Sequence, residues 1–560
     1  MSNVPLLISK NTEHKGVEVD DNTTKITGGQ VLINCLYDEG VRVIFGVPGV
    51  QMYHAVMPIL EYPDMKFINT RHEQATTYMA DGYARSSGKV GVAMVVPGPG
   101  LQNASAGITN AYSASSQVLV VAGQIERDKI SKNVGMLHEI NDQLDIIRPI
   151  TKWQSRILYA EDIATGVQRA FYELRTGRPR PVEIEMPPDA LSELTDKHPY
   201  DPAPIPPHVV DGASIEECAA LIMESKDPVI WAGGGVHLSG ASDQLLALAQ
   251  YLQIPVLTTP EGKGAISDRN YLSLGAPQGR STGESEDPLR DFFYSCDLVL
   301  AVGTRFASGR ALDSQKIIQI DVDPQEIGRN NQNTTPIIGD AKVVLSELLK
   351  SIKAISGPRD SREDELEKIK TFRNKDPERR VEPQASMVEA LREGIPDDGI
   401  IVTDMTIVAY YARAYFPSYN ARSYITSSYT GNLGSAFPTA LGVKVANPDK
   451  PVVSISGDGG FLFNSQELAT AAQFDINVIA VVFNDQAYGN VKRDMRELFN
   501  DKSLGVELHN PDFMKLADAY GVVGMRVDEA NDLATALKKA VDLNKPVLIE
   551  VTVGVMPNPF

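Results

Sequence analysis

The stretch from Pro451 to Gly489, PVVSISGDGGFLFNSQELATAAQFDINVIAVVFNDQAYG, limits the folds open to this chain more than any other. Pro451–Ser456 is a short apolar run rich in β-branched residues, the pattern of a buried strand. It breaks at Gly457-Asp458-Gly459-Gly460, where glycine lets the backbone turn sharply and brings bare N–H groups close to a ligand. Asn464, three residues before Glu467, predicts a helix cap, and the helix runs to about Phe474. Asn477–Phe483 reads as a second buried strand that ends on Asn484. Strand, glycine turn, helix and strand in so short a span form a parallel crossover unit. Asp458 and Asn484 then lie at the carboxyl ends of strands, where α/β sheets bind ligands.

With 560 residues the chain is too long for one core. The net charge of −19, with no basic cluster, argues against nucleic acid as a partner. Cys35, Cys218 and Cys296 are scattered without metal-ligand spacing, as expected in a reducing, cytoplasmic compartment. No apolar run approaches the roughly 18–20 residues that span a bilayer, so no membrane is expected, and the first residues lack a signal pattern.

Strand-like and helix-like runs alternate along most of the chain, which predicts parallel sheets covered by helices. Residues 1–25 read as a flexible arm. Residues 26–190 form the first α/β unit, with a helix over Gly28–Tyr37, strands over Val41–Phe45, Lys66–Asn69, Val90–Val95 and Val118–Ala122, and a helix over His72–Ser87. The proline-rich Pro199–Pro207 marks a linker. Residues 212–352 form the second unit, with strands over Pro228–Ala232, Pro255–Thr259, Leu298–Val302 and Ile317–Ile320. Residues 353–381, dominated by charge, read as a solvated linker with room for a helical stretch, and residues 382–560 form the third unit.

Asp458 and Asn484 offer oxygens of the kind Mg²⁺ takes alongside phosphate and water, and the glycine amides beside them could cradle phosphates. A bare Gly-Asp-Gly is more often an ordinary turn with a capping Asp; the Asn-Asp pair at 484–485, ending the next strand, favours the metal. The second informative stretch is Thr70–Arg85, TRHEQATTYMADGYAR, with Glu73 near a helix start. An isolated Glu there is ordinarily explained by the helix dipole. Glu73, however, lies between Gly46-Val47-Pro48-Gly49 and Gly98-Pro99-Gly100. Together these segments resemble the pyrimidine-binding domain of thiamine diphosphate enzymes, and the 458–484 pair resembles their metal motif. From about Ile26 to Val551 the chain is similar to the acetolactate synthase-like family, a likeness extended by IDVDPQEIGR (320–329) and NPDFMKLADAYG (510–521).

The resemblance implies three tandem doubly wound parallel-sheet domains: pyrimidine-binding, central and diphosphate-binding. It places Glu73 at N1′ of the aminopyrimidine, where a carboxyl sharing a proton favours the imino tautomer that deprotonates C2 of the thiazolium. It makes Leu433 the wedge that folds the cofactor and gives the carbonyl of Gly431 to the 4′-amino group. Gly457, Asp458, Gly459, Gly460, Tyr488 and Gly489 surround the diphosphate, and Asp458, Asn484 and the Gln486 carbonyl hold Mg²⁺. It sets the active sites between subunits of a homodimer or homotetramer, Glu73 coming from one chain and Asp458, Asn484 and Leu433 from another.

Gln51 and His138 are the expected pocket residues, the histidine as a proton relay unless it is simply a surface residue; Glu139 and His72 are weaker candidates. Gly233-Gly234-Gly235, Gly303-Thr304-Arg305 and Asp340 fit the family's FAD site, although Ala307 and Pro277 replace residues that usually line it, and FAD stays open. Leu433, Asp494 and Pro188 stand where the biosynthetic synthases of the family usually place Met, Trp and, in some, Lys. The expected activity is therefore that of a carbon–carbon lyase or ligase acting on 2-oxo acids and small aldehydes, nearest to acetolactate synthase. A 2-oxo acid decarboxylase or aldehyde lyase of the benzoylformate decarboxylase or benzaldehyde lyase type is the alternative. A non-catalytic relative is disfavoured by the presence of Glu73, Asp458 and Asn484.

Overall fold

The computed structural model describes residues 25–197, 199–205, 209–277, 288–307, 311–375, 380–558. The proposed arm thus lies outside the described residues apart from Lys25. Three six-stranded parallel sheets form the frame. The first contains β1 (Val43–Gly46), β2 (Lys66–Asn69), β3 (Gly91–Val95), β4 (Val118–Gly123), β5 (Trp153–Arg156) and β6 (Val182–Met186). The second contains β7 (Pro228–Ala232), β8 (Val256–Thr258), β9 (Ser273–Gly275), β10 (Leu298–Val302), β11 (Lys316–Asp321) and β12 (Thr334–Ile338). The third contains β13 (Ile400–Thr403), β14 (Tyr424–Thr426), β15 (Val452–Gly457), β16 (Val478–Asn484), β17 (Val523–Val527) and β18 (Val547–Thr552). The expected α/β class of three doubly wound domains holds.

The two outer sheets share one strand order, β2-β1-β3-β4-β6-β5 and β14-β13-β15-β16-β18-β17. The central sheet differs, with β9-β8-β7-β10-β11-β12. In each, the order reverses beside the first strand, the switch point where open α/β sheets leave a crevice. The central strands β4, β10 and β16 are buried along their whole length, as continuous Val/Ile/Leu runs covered on both faces require.

Two helices join the outer domains. Helix α1 (Glu73–Ser87) is capped by His72, whose Nδ1 accepts from Gln74 N at 3.2 Å, and ends at Gly88 with φ 76°. It lies between α2 (Pro99–Ala114) and a helix of the third domain, Ala436–Ala446. Both α1 and Ala436–Ala446 are buried nearly all round, which small residues such as Ala, Gly and Thr permit. Residues of both outer domains, among them Phe45, Met79, Phe437 and Phe461, form a single hydrophobic core, whereas the central domain keeps its own.

The segment read as a linker with room for a helical stretch does form one, but it is not wholly solvated. It forms helix α3 (Glu363–Lys375), which packs Leu366 into the central core. Arg373, 6% exposed, caps carbonyls of Leu274, Ala276 and Ala414. What counting charge misses is its burial, because Leu366, Ile369 and one buried guanidinium are enough to seat a helix. Among the described residues no helix is long and apolar enough to cross a membrane.

Candidate active site

The register that pairs Gly457 with Phe483 makes Asp458 and Asn484 leave β15 and β16 side by side. Asp458 opens on a cavity of about 230 Å³ lined also by Gly431, Leu433, Gly459, Gly460 and Tyr488, with Gly457 and Gly489 in its wall; Asn484 stands beside Asp458 but does not line it. Gly457 through Phe461 turn into one short helix, and Tyr488 lies where a Cβ on Gly459 would stand. Of the expected cofactor-binding residues of the third domain, all but Asn484 and Gln486 line this one cavity.

The oxygens fit a cation. Glu550 accepts from Asn484 Nδ2 at 2.8 Å, which turns Oδ1 towards Asp458. Asn510 Nδ2 lies 2.5 Å from Asp458 Oδ2 and 2.9 Å from Asn484 Oδ1, so the two oxygens aim at one point and one donor already stands there. Asp485 also lines the cavity; burial first, and then the charge of Asp458, push its carboxyl above the usual range. Two carboxylates facing a common space are what a divalent ion relieves. Gln486, expected to offer its carbonyl, has the left-handed φ of 55°, and that carbonyl accepts from Leu508 N at 2.8 Å, which leaves one lone pair for an ion.

Asn464 takes the N-cap position the sequence pattern predicts, but its side chain makes no capping bond. The chain there is a 3₁₀ turn, Ser465–Glu467, before Leu468–Gln473, and the Asn464 side chain donates to the carbonyl of Gly434 instead. Glu467, fully buried, accepts from the backbone N–H groups of Arg71 and His72. It ties the start of α1 to the third domain.

Glu73, Gln51 and His138 do not line the cavity of their own chain. Glu73, partly exposed, accepts from Asn103 Nδ2 at 3.0 Å, with Gly100 beside its carboxyl. Gln51 and His138 do meet: His138 Nδ1 is 3.1 Å from Gln51 Oε1, and Gln51 Nε2 donates to the carbonyl of Leu137. His138 sits at φ 69° in a loop that Glu139 holds by accepting from the N–H groups of Val134, Gly135 and Met136. Glu139 and His72 are thus occupied as a loop anchor and a helix cap rather than as pocket groups. Asp404 and Asn510 have no role assigned from the sequence, although Asn510 opens the NPDF segment quoted for its likeness; Asp485 enters there only as the second member of the Asn-Asp pair, with no ligand role.

A second cavity, about 420 Å³, opens at the switch point of the central sheet. Gly234, Gly235, Gly303, Thr304, Arg305 and Asp340 line it, together with Ala307.

These features can be set beside known proteins. Residues 26–146 match the N-terminal thiamine pyrophosphate binding domain of thiamine pyrophosphate enzymes, residues 215–348 their central domain, and residues 404–551 their C-terminal thiamine pyrophosphate binding domain. The chain is 36% identical to a probable acetolactate synthase large subunit of Methanocaldococcus jannaschii, covering 94% of this chain and 92% of that one. It is 34% identical to the acetolactate synthase large subunit of Lactococcus lactis, over 94% and 92%. It is 30% identical to the acetolactate synthase isozyme 3 large subunit of Escherichia coli, over 94% and 95%. The chain belongs to the thiamine pyrophosphate enzymes, in the family of the acetolactate synthase large subunits.

Proposed function

We propose that this protein decarboxylates a 2-oxo acid, pyruvate first, and joins the remaining two-carbon unit to a second carbonyl, a reading supported by its likeness to proteins named acetolactate synthases. The observation that carries this reading is the pair of convergent oxygens on Asp458 and Asn484 beside a glycine-lined cavity, in a chain similar to acetolactate synthases over 94% of its length. When bound, thiamine diphosphate supplies the electron sink for cleavage next to a carbonyl. Asp458, Asn484 and the Gln486 carbonyl would hold Mg²⁺, and the amides of the 457–460 turn would face the diphosphate.

Glu73 would hold a proton at N1′ of the pyrimidine. Because Glu73 lies outside the cavity of its own chain, the reading requires a second copy to bring its Glu73 there, and the protein acts as a homodimer or a homotetramer. Gln51 and His138, joined by a hydrogen bond, would orient the substrate oxygen and move a proton there. Asp494, where a synthase of this family places Trp, pairs with Arg493 at 2.8 Å, which supports a small or aldehyde acceptor over a larger oxo acid. The central cavity is the place FAD would take, and flavin absorbance of the purified protein decides its presence. Buried thiols at Cys35, Cys218 and Cys296 suit a reducing cytoplasm.

The test is a carbon balance by NMR with pyruvate alone, in the presence of thiamine diphosphate and Mg²⁺. A 2-hydroxy ketone such as acetolactate is the expected product. Free acetaldehyde as the main product supports a decarboxylase instead. Untouched pyruvate, with turnover of a longer or aromatic 2-oxo acid, refutes the donor while keeping the cofactor chemistry.

A further inference from the structure

Leu433 is followed by Gly434, whose φ of 77° lies in the left-handed region. A Cβ there would stand 2.4 Å from Phe463 Cβ and 2.8 Å from the carbonyl oxygen of Gly460, so only glycine fits against the 457–460 turn. Both polar groups around this glycine are gripped. Its N–H donates to Asp404 Oδ2 at 2.9 Å, and its carbonyl accepts from Asn464 Nδ2 at 2.7 Å. Asp404 is 1% exposed and Asn464 is fully buried. Asp404 itself is fixed: its other oxygen accepts from Met405 N at 2.8 Å, and Ser456 Oγ lies 3.5 Å from Oδ2. Met405 in turn stands 3.3 Å from the Cβ position of Gly431. Neither Asp404 nor Asn464 lines the 230 Å³ cavity, whereas Gly431 and Leu433 do.

A loop whose one apolar side chain must stand at a fixed height in a cavity gains little from contacts of its own, for Leu433 is 37% exposed. Its position is set by what holds its backbone. A buried carboxylate accepting a backbone N–H is a strong, directional bond, and an amide donating to the carbonyl of the following peptide holds the glycine from its other side. Sites work when the supporting shell is locked in this way.

We propose that Asp404 and Asn464 are positioning residues that clamp the backbone on both sides of Gly434 and thereby fix Leu433 as the wedge that bends the cofactor. The assignment rests on the reading of Leu433 given above. The two residues come from different strand ends, Asp404 after β13 and Asn464 beyond the turn that follows β15. The clamp therefore also sets the wedge in register with Asp458.

The test uses the full-length protein with Asp404→Asn, Asn464→Asp and Leu433→Ala, alone and combined. Asn464→Asp keeps the shape but removes the donor, so it carries the test should Asp404→Asn fail to fold. In the cofactor-free protein, amide hydrogen exchange of the peptide containing residues 431–435 is expected to speed up about ten- to hundredfold in either clamp variant, the usual worth of a bond to a charged group. With thiamine diphosphate and Mg²⁺ bound, the exchange rate of the cofactor C2 proton and kcat are expected to fall together by about tenfold or more, with KM and cofactor affinity changed far less. In the Leu433→Ala background neither clamp substitution should lower C2 exchange further, because the clamp acts through that side chain. The proposal is overturned if the 431–435 amides loosen while C2 exchange stays at the wild-type rate, or if losses multiply on top of Leu433→Ala. If Leu433→Ala alone leaves C2 exchange unchanged, the wedge reading fails and takes the clamp's function with it, though the protected amide would still be seen.

Discussion

Replacing Gly82 by Ala sets two magnitudes against each other. Gly82 lies inside α1, where Ala is intrinsically better by about 1 kcal/mol. A helix judged on propensity would be stabilised. The structure gives the opposite sign. A Cβ on Gly82 would stand 2.1 Å from the carbonyl oxygen of Thr439 and 2.9 Å from its carbon. These are backbone atoms of α4, the buried helix Ala436–Ala446, so no flexible side chain can yield. The helices must part by about 1 Å to restore ordinary contact, and separations of that size forfeit a quarter to a half of each dispersion contact along the crossing. Overpacking of a tight core typically costs about 1–3 kcal/mol, and a backbone clash between two all-round buried helices belongs at the upper end. Net destabilisation of about 2 kcal/mol follows, a shift of about 1 M in urea midpoint at typical slopes. The two tryptophans allow the measurement, since Trp153 lies in β5 of the first sheet and Trp231 in β7 of the central one. In a Trp231→Phe background the Trp153 transition should move to lower urea. In a Trp153→Phe background the Trp231 transition should hold, because the central core is separate. A Gly82→Ala protein stabilised by the propensity term, or one in which only the central transition moves, refutes the reasoning.

Three further outcomes are expected. Glu73→Gln should still bind thiamine diphosphate by calorimetry yet lose most turnover, since an amide cannot share a proton with N1′; near-normal kcat would remove Glu73 from its role. Asp458→Ala should weaken cofactor binding chiefly in Mg²⁺-limited buffer, because the residue bridges metal and diphosphate; a titration curve that overlays wild type would place the anchor elsewhere. Lys263, 2% exposed, has its pKa lowered to about 8 by burial, with Asp268 pulling the other way. A folded-state value below the unfolded 10.5 means that the penalty is fully present below pH 8 and is relieved as pH rises towards 10.5. Lys263→Met should therefore raise stability at pH 7, by an amount of order 1–3 kcal/mol, and the advantage should shrink by pH 10; a destabilised variant at pH 7 would show that the ammonium has partners worth more than its desolvation.

What could be read in advance was local. The strands Pro228–Ala232, Leu298–Val302 and Lys66–Asn69 were legible residue for residue, because unbroken β-branched runs and glycine turns declare themselves within a few positions. The same holds for Asp458 and Asn484, whose partnership follows from strand register. Asp404 and Asn510 were invisible for the converse reason. Their partners, Gly434 and Asp458, are distant in sequence and meet them only once the third sheet is assembled. The Asn464 side chain was misread because a cap-like spacing says nothing of a competing carbonyl brought in from residue 434. The shared core of the outer domains was hidden as well. A helix such as α4, small and apolar on every side, has no face from which a neighbour could be inferred.

That shared core bears on how the protein is made. The chain between Ser87, where α1 ends, and Ala436, where α4 begins, includes the whole central domain. At about 5–20 residues per second a ribosome needs roughly 17–70 s to cross it. From Met186, where β6 ends, until Ala436 is made, the first domain has all its strands but not the helix that covers α1, and Gly82 and its neighbours stand open to water or to any passing apolar surface. The central domain can close on itself meanwhile. A nascent first domain is therefore a natural client for a holding chaperone, and a chain broken off before residue 436 should aggregate rather than persist as a folded fragment.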